Sequence, residues 1–157
     1  MHKYKAAVEG IQISWLNFIW IDNPMEQNSI CEVKKMDLYQ FWKDVLRQDA
    51  NAIRGYFKKD AYINWHCTNE HFNVDEFIVA NCEYPGNWDG EVERIEKIND
   101  IYVTVTHVYA QNQELSFHVT SFIKVEEDKI VSVDEYWADD GIAPKWRRDK
   151  HIGKAIK

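Results

Sequence analysis

The sequence predicts an α+β domain in which helices pack over a strongly curved antiparallel sheet. Three observations point there. Leu38, Phe41, Trp42, Val45 and Leu46 recur at helical spacing. From Trp88 onward the apolar pattern switches to period two, in runs separated by turns of two to five residues. Helical segments come first and strands afterwards, the order of an α+β protein rather than of alternating βαβ units.

The first 35 residues differ from the rest, with no helical period and a polar run over 22–35. They read as an N-terminal extension ahead of a domain over 36–157, or as an added strand or arm, since 13–20 has strong β propensity. Either way the segment is expected to add little stability. Its apolar stretch, 11–21, is too short to span a bilayer and is interrupted by Gln12, Ser14 and Asn17. Glu9 and the lack of a small-residue cleavage site argue against a signal peptide.

The domain opens with a helix capped by Asp37. A shorter helix follows over 49–57, with Ala52, Ile53, Tyr56 and Phe57 as its apolar set. Lys58-Lys59-Asp60 reads as a turn and 61–67 as a strand. Residues 73–81 form a helix with Asn73 as N-cap and Glu76 at the capping-box position, and Tyr84-Pro85-Gly86-Asn87 breaks it. The strands of the meander are 92–98, 101–109, 115–125 and 130–137, and a tail begins at about 138.

Composition narrows the function classes. The net charge is −7 and the pI about 5.3, with a basic stretch only in the tail over 145–157. Nucleic-acid binding is not expected from such a balance, and nothing indicates a membrane partner. Cys31, Cys67 and Cys82 are odd in number and widely spaced, which excludes a disulfide framework and suits a reduced, cytoplasmic protein. Each reads as a small buried hydrophobe, Cys67 least clearly because Thr68-Asn69-Glu70 follows it. Aromatic residues reach 14%, including seven Trp, enough to fill a core or to line a pocket.

Alternation along the strands selects the pocket face. The odd positions form the apolar set: Ala61, Ile63, Trp65 and Cys67; Ile101, Val103, Val105 and His107; Leu115, Phe117, Val119, Ser121 and Ile123; Val131, Val133, Glu135 and Trp137. Glu135, His107 and Ser121 are the polar exceptions on that face. A carboxyl group among Trp65, Val133 and Trp137 is desolvated, which tunes it as an acid or base. Glu135 is therefore the candidate catalytic group, with His107 as partner or proton shuttle, and a hydrogen-bonded strand-end Glu is the structural alternative. Phe41, Trp65, Cys67, Asn81, Trp88, Ser121 and Trp137 are the candidate ligand-binding residues, with His66 and His71 flanking the mouth. No local His-His-carboxylate spacing marks a metal site, and no cofactor is implied. The even-face set His118, Thr120 and Phe122 is flat and apolar enough to suggest a homodimer.

Three segments carry a resemblance: Phe57-Lys58-Lys59-Asp60-Ala61 entering the first strand, Asp128-Lys129-Ile130-Val131 at the last hairpin, and Glu135-Tyr136-Trp137-Ala138-Asp139 ending the last strand. In this order and spacing, over about 37–140, the chain resembles the SnoaL-like group of the NTF2-like superfold. The resemblance implies a cone whose helices close one mouth of a bent sheet. It also implies a pocket for a small apolar or aromatic molecule, with isomerase, cyclase or dehydratase chemistry in some members and binding or dimerisation alone in others. At the positions used by the superfold's ketosteroid isomerases this chain has Phe41, Trp65 and Ser121, none of which supplies a matching base or oxyanion donor. Two readings stand: a small-molecule protein with acid/base chemistry at Glu135, and a non-enzymatic domain whose Trp-rich cavity is core.

Overall fold

A computed structural model of the protein describes residues 35–156. The readings of the N-terminal segment, of a strand at 13–20 and of Cys31 fall outside the described residues.

Each longer helix begins where a side chain takes up free backbone N–H groups. Asp37 accepts from Gln40 N at 3.0 Å and starts α1 (Leu38–Leu46). Asp49 accepts from Ala52 N at 3.0 Å and starts α2 (Ala50–Tyr56). Asn73 and Glu76 form a reciprocal capping box at α3 (Val74–Cys82). The apolar faces of these helices, with Leu38, Phe41, Trp42, Ile53 and Phe77 at their centre, join Ile63, Val119, Ile123 and Val133 in one core. A short exposed helix, α4 (Lys145–Asp149), lies in the segment read as tail.

The strands are β1 (Phe57–Trp65), β2 (Glu70–Asn73), β3 (Trp88–Ile98), β4 (Ile101–Ala110), β5 (Ser116–Glu126) and β6 (Lys129–Asp139). They form one curved, open sheet in the order β2-β1-β6-β5-β4-β3. β3 to β6 is the expected antiparallel meander. Its last turn places Glu127 and Asp128 at φ 52° and 56°, the double left-handed conformation that suits the twist of a two-residue hairpin. Among the described residues no helix is long and apolar enough to cross a membrane.

The structure corrects the expected sheet in four places. First, β1 pairs with β6 in parallel, so the sheet is mixed. Turn chemistry dictates pairing between sequence neighbours, whereas β1 reaches β6 only through the packing of the helices. Second, β2 is an additional edge strand paired with β1. Third, Lys58-Lys59-Asp60 belongs to β1 and forms an irregularity there: the chain advances from Phe57 to Tyr62 while β6 advances only from Ile130 to Ser132. The local turn signal is real, but it produces a bulge rather than a strand end.

Fourth, the inner face of β4 carries the even set. Thr104, Thr106, Val108 and Ala110 are buried, and the odd residues, His107 among them, face outward. Valine and isoleucine on the outer side made both faces look apolar, so hydrophobicity alone could not assign them. In β6 a register shift puts Ile130 and Ser132 inward before Val133 and Glu135, leaving Val131 off that face. In β3, Gly90 lies so close to the His107 carbonyl that a Cβ would overlap it, with Leu46 closing the other side.

Candidate functional site

The inner face of the sheet carries one polar row through the apolar core. Register aligns Thr104 with Ser121, Ser121 with Glu135, and Glu135 with Trp65. At one end the Trp42 indole N–H donates to Thr104 Oγ1 at 3.2 Å. In the middle Ser121 Oγ donates to Glu135 Oε1 at 3.0 Å, and Trp137 Nε1 donates to Glu135 Oε2 at 3.0 Å. Glu135 is only 2% exposed. Burial pushes its carboxyl above the ordinary value, opposed by the donors of Trp137 and Ser121 and by the Trp65 N–H, which lies beside the carboxylate outside hydrogen-bonding geometry.

Above this row a cavity of about 390 Å³ opens between the helices and one end of the sheet. Trp42, Val45 and Leu46 of α1 and Ala80 and Asn81 of α3 line the helical side. The sheet side is a continuous aromatic wall. Trp65 and Trp137 meet edge to face at 6.3 Å, Trp137 meets Phe117 at 6.3 Å, and Phe117 meets Trp88 at 5.9 Å. Gln48 ties the two helices at the rim by donating to the Asn81 and Tyr84 carbonyls, each at 2.8 Å. Asp139 is the one carboxylate lining the cavity among the described residues.

Of the residues singled out in the sequence, Trp65, Cys67, Asn81, Trp88 and Trp137 line this cavity. Phe41 and Ser121 do not: Phe41 is a core residue packed on Phe57 and Tyr56, and Ser121 is fully buried against Glu135. Glu135 also stays off the cavity surface, because the indole that lines the wall is the one bonded to its carboxylate. Cys67 is exposed rather than buried, since the strand ends before it, at Trp65. Phe117 and Asp139 share the face of Val119 and Glu135: Phe117 does not stand out because it is one apolar residue in an apolar set, and Asp139 was not read on that face because the strand runs to Asp139 rather than ending at 137. Thr68 belongs to the polar strand exit over 65–70, whose composition suggests a rim or a hydrogen-bonded loop, and it lines the cavity, whereas Tyr84 and Gln48 carry no sequence signal because loops bring them to the rim.

His107 cannot serve Glu135, because it projects from the opposite face of the sheet. There it pairs across strands with His118, the two rings stacked at 4.6 Å. Asp140 follows the end of β6 and joins them. Its Oδ1 bonds His118 Nδ1, and its Oδ2 lies 3.3 Å from His107 Nε2. Ser116 Oγ accepts from His107 Nε2 at 2.8 Å and donates to Asp140. Partial burial opposes ionisation of Asp140, but the Ser116 and His118 hydrogen bonds and the two histidines outweigh it and hold the carboxyl below its ordinary value. No local spacing in the sequence announced this set. The sheet register nevertheless gathers one ligand atom from each of His107, His118 and Asp140 within 4.8 Å. His66 and His71 also lie outward, bonded to Asp134 at 2.8 Å and Asn64 at 2.7 Å.

Comparison with solved structures places the architecture. An NTF-2 like protein of unknown function from Burkholderia xenovorans superposes with a TM-score of 0.63 at 20% identity, covering 76% of this chain and 92% of that one. The chain has the NTF2-like fold. A proposed ketosteroid isomerase from Kribbella flavida shares this fold with a TM-score of 0.64 at 15% identity, over 76% of this chain and 87% of that one. An LEH-like epoxide hydrolase from M. tuberculosis shares it with a TM-score of 0.54 at 11% identity, over 64% and 79% of the two chains. No protein-family model and no curated protein matches the sequence. In this NTF2-like cone the cavity lies at the mouth closed by α1 and α3, and the histidine cluster lies on the far side of the sheet.

Proposed function

We propose that the protein binds a small, flat, largely apolar molecule in this cavity. The observation that carries the reading is the wall: Trp42, Trp65, Trp88 and Trp137 all line one space, with Phe117 between two of them. Its volume, about 390 Å³, falls in the range of small-molecule sites, roughly 300–1,000 Å³. The polar groups at its edge are few, namely Gln48, Thr68, Asn81 and Asp139, as expected where shape selects the ligand and a few groups orient it. In this reading Glu135 positions the wall by holding the Trp137 indole and does not touch the ligand.

A neutral nitroaromatic such as 4-nitrotoluene tests the proposal, since it quenches tryptophan on contact. Saturable quenching is expected, and Trp88→Ala should weaken it roughly tenfold, the loss of one aromatic contact. Quenching that rises linearly without saturation, or that is the same in Trp88→Ala, would rule the site out.

Acid/base chemistry, as isomerisation, cyclisation or dehydration, is a second reading. It rests on Asp139, which brings a carboxylate to the cavity, and is supported by the isomerase and epoxide hydrolase among the proteins of the same fold. Free thiols at Cys67 and Cys82 suit the proposed cytoplasmic location.

We also propose a homodimer through the outer face of the sheet. Phe122, Tyr136 and Tyr62 are each more than 40% exposed there, and Phe122 packs on Tyr136 at 6.1 Å. Light scattering should give twice the chain mass of 18.7 kDa at micromolar concentration, and a single chain mass would refute it.

A further inference from the structure

The geometry points to a divalent transition-metal site formed by His107, His118 and Asp140 on the outer face of the sheet. Two imidazole nitrogens and one carboxylate oxygen lie within 4.8 Å of one another, the compact spacing that a single ion requires of its ligands. The set comes from two paired strands and the residue just past a third, so no segment of sequence displays it. His107 and His118 are direct cross-strand partners on β4 and β5. Asp140 is fixed beside them by its backbone, whose N–H donates to the Ser116 carbonyl at 2.9 Å. Ligands held by paired strands need little reorganisation on binding.

The surroundings fit the same use. His118 presents Nδ1 to the cluster while its Nε2 lies 3.5 Å from a Glu93 carboxylate oxygen. A carboxylate behind the second ring nitrogen fixes the tautomer and raises the basicity of a metal-bound histidine. Glu91 lies directly across from His107, adding negative charge on the cation's side. Ser116 Oγ, bonded to both His107 and Asp140, is a neutral oxygen beside the set that can hydrogen-bond a water taking a further ligand position. The mixed N,N,O donor set selects zinc, cobalt or nickel over magnesium or calcium, which take oxygen ligands.

Metal binding requires ring nitrogens free of protons, so affinity should rise with pH. The bound ion links β4, β5 and the chain just past β6. Asp139, the neighbour of Asp140, lines the cavity on the opposite face, so the clamp steadies the strand end that forms the cavity rim. This inference is independent of the ligand reading above.

The test uses the full chain stripped of metal with a chelator, titrated with zinc by calorimetry and with cobalt(II) by visible absorption. One zinc per chain is expected, with ligand-field bands of low coordination number for cobalt and an unfolding midpoint that rises with zinc concentration. His118→Ala and Asp140→Asn should each weaken binding by roughly a hundredfold, and Glu93→Gln by roughly tenfold. His66→Ala, which alters an outward histidine bonded to Asp134 rather than to the cluster, should leave binding unchanged. The inference is overturned by the absence of saturable zinc binding. It is equally overturned if His118→Ala, Asp140→Asn and Glu93→Gln all bind as the parent does, or if His66→Ala weakens binding as much as they do.

Discussion

Replacing Trp42 by Ala is expected to cost about 3–5 kcal/mol, the usual range for emptying a large aromatic site in a core. Trp42 is 1% exposed and packs edge to face on Phe41 at 5.9 Å. It joins three parts of the fold at once: the buried face of α1, the inner row of the sheet through Thr104, and the helical side of the cavity. The neighbouring side chains are held by their own packing, so the space does not collapse. Trp42→Phe should cost much less, because it keeps most of the apolar volume and loses mainly the hydrogen bond to Thr104. Urea unfolding of the two variants checks this. A loss below about 1 kcal/mol for Trp42→Ala would show that the residue is not a central support of the fold.

Glu135 gives the second large effect, and its two substitutions separate. Glu135→Ala removes the acceptor of Ser121 and of Trp137 and leaves both donors buried without a partner. At about 1–3 kcal/mol for each orphaned buried group, a loss of about 3 kcal/mol is expected. Glu135→Gln keeps shape and volume. Its carbonyl accepts from Trp137 and its amide donates to Ser121, whose hydroxyl turns to accept, so the fold should persist.

The pH dependence then follows from the direction of the shift. Burial raises the carboxyl of Glu135 above its ordinary value of 4.5 in the folded protein. The stability it confers is fully present below 4.5 and is lost as pH rises through the folded value. Stability of the parent should therefore fall relative to Glu135→Gln as pH climbs from 4.5 upward, because the glutamine never ionises. Unfolding midpoints of both proteins across that window measure it, and parallel curves would contradict the buried environment. Binding of 4-nitrotoluene by Glu135→Gln should match the parent, since the carboxylate supports Trp137 from behind. A Glu135→Gln protein that folds normally but no longer binds would return Glu135 to the ligand site.

Local signals in the sequence reach as far as local physics does. The Asp37 and Asn73 caps, the capping box with Glu76, the helical stripe from Leu38 to Leu46 and the hairpin turns are all written in neighbouring residues, and the structure has each of them. The fold class follows from their order. The inward placement of Ser121, Glu135 and Trp137 was legible too, because on β5 and β6 the strand alternation is tied to clear polar exceptions.

Tertiary structure decided what depends on partners far apart in the chain. The parallel pairing of β1 with β6 has no turn to announce it. The inner face of β4 was settled by packing, since Val103 and Val105 on one side are as apolar as Val108 and Ala110 on the other, and the Trp42 bond to Thr104 decides between them. That one reversal moved His107 from the neighbourhood of Glu135 to the opposite side of the sheet, beside His118 and Asp140. A change of one residue in facing exchanges the whole set of neighbours, because alternate side chains of a strand point to opposite sides. The sequence by itself therefore determined the helices, the meander and the burial of Glu135, while only the folded sheet determined which groups share the cavity and which share the histidine cluster.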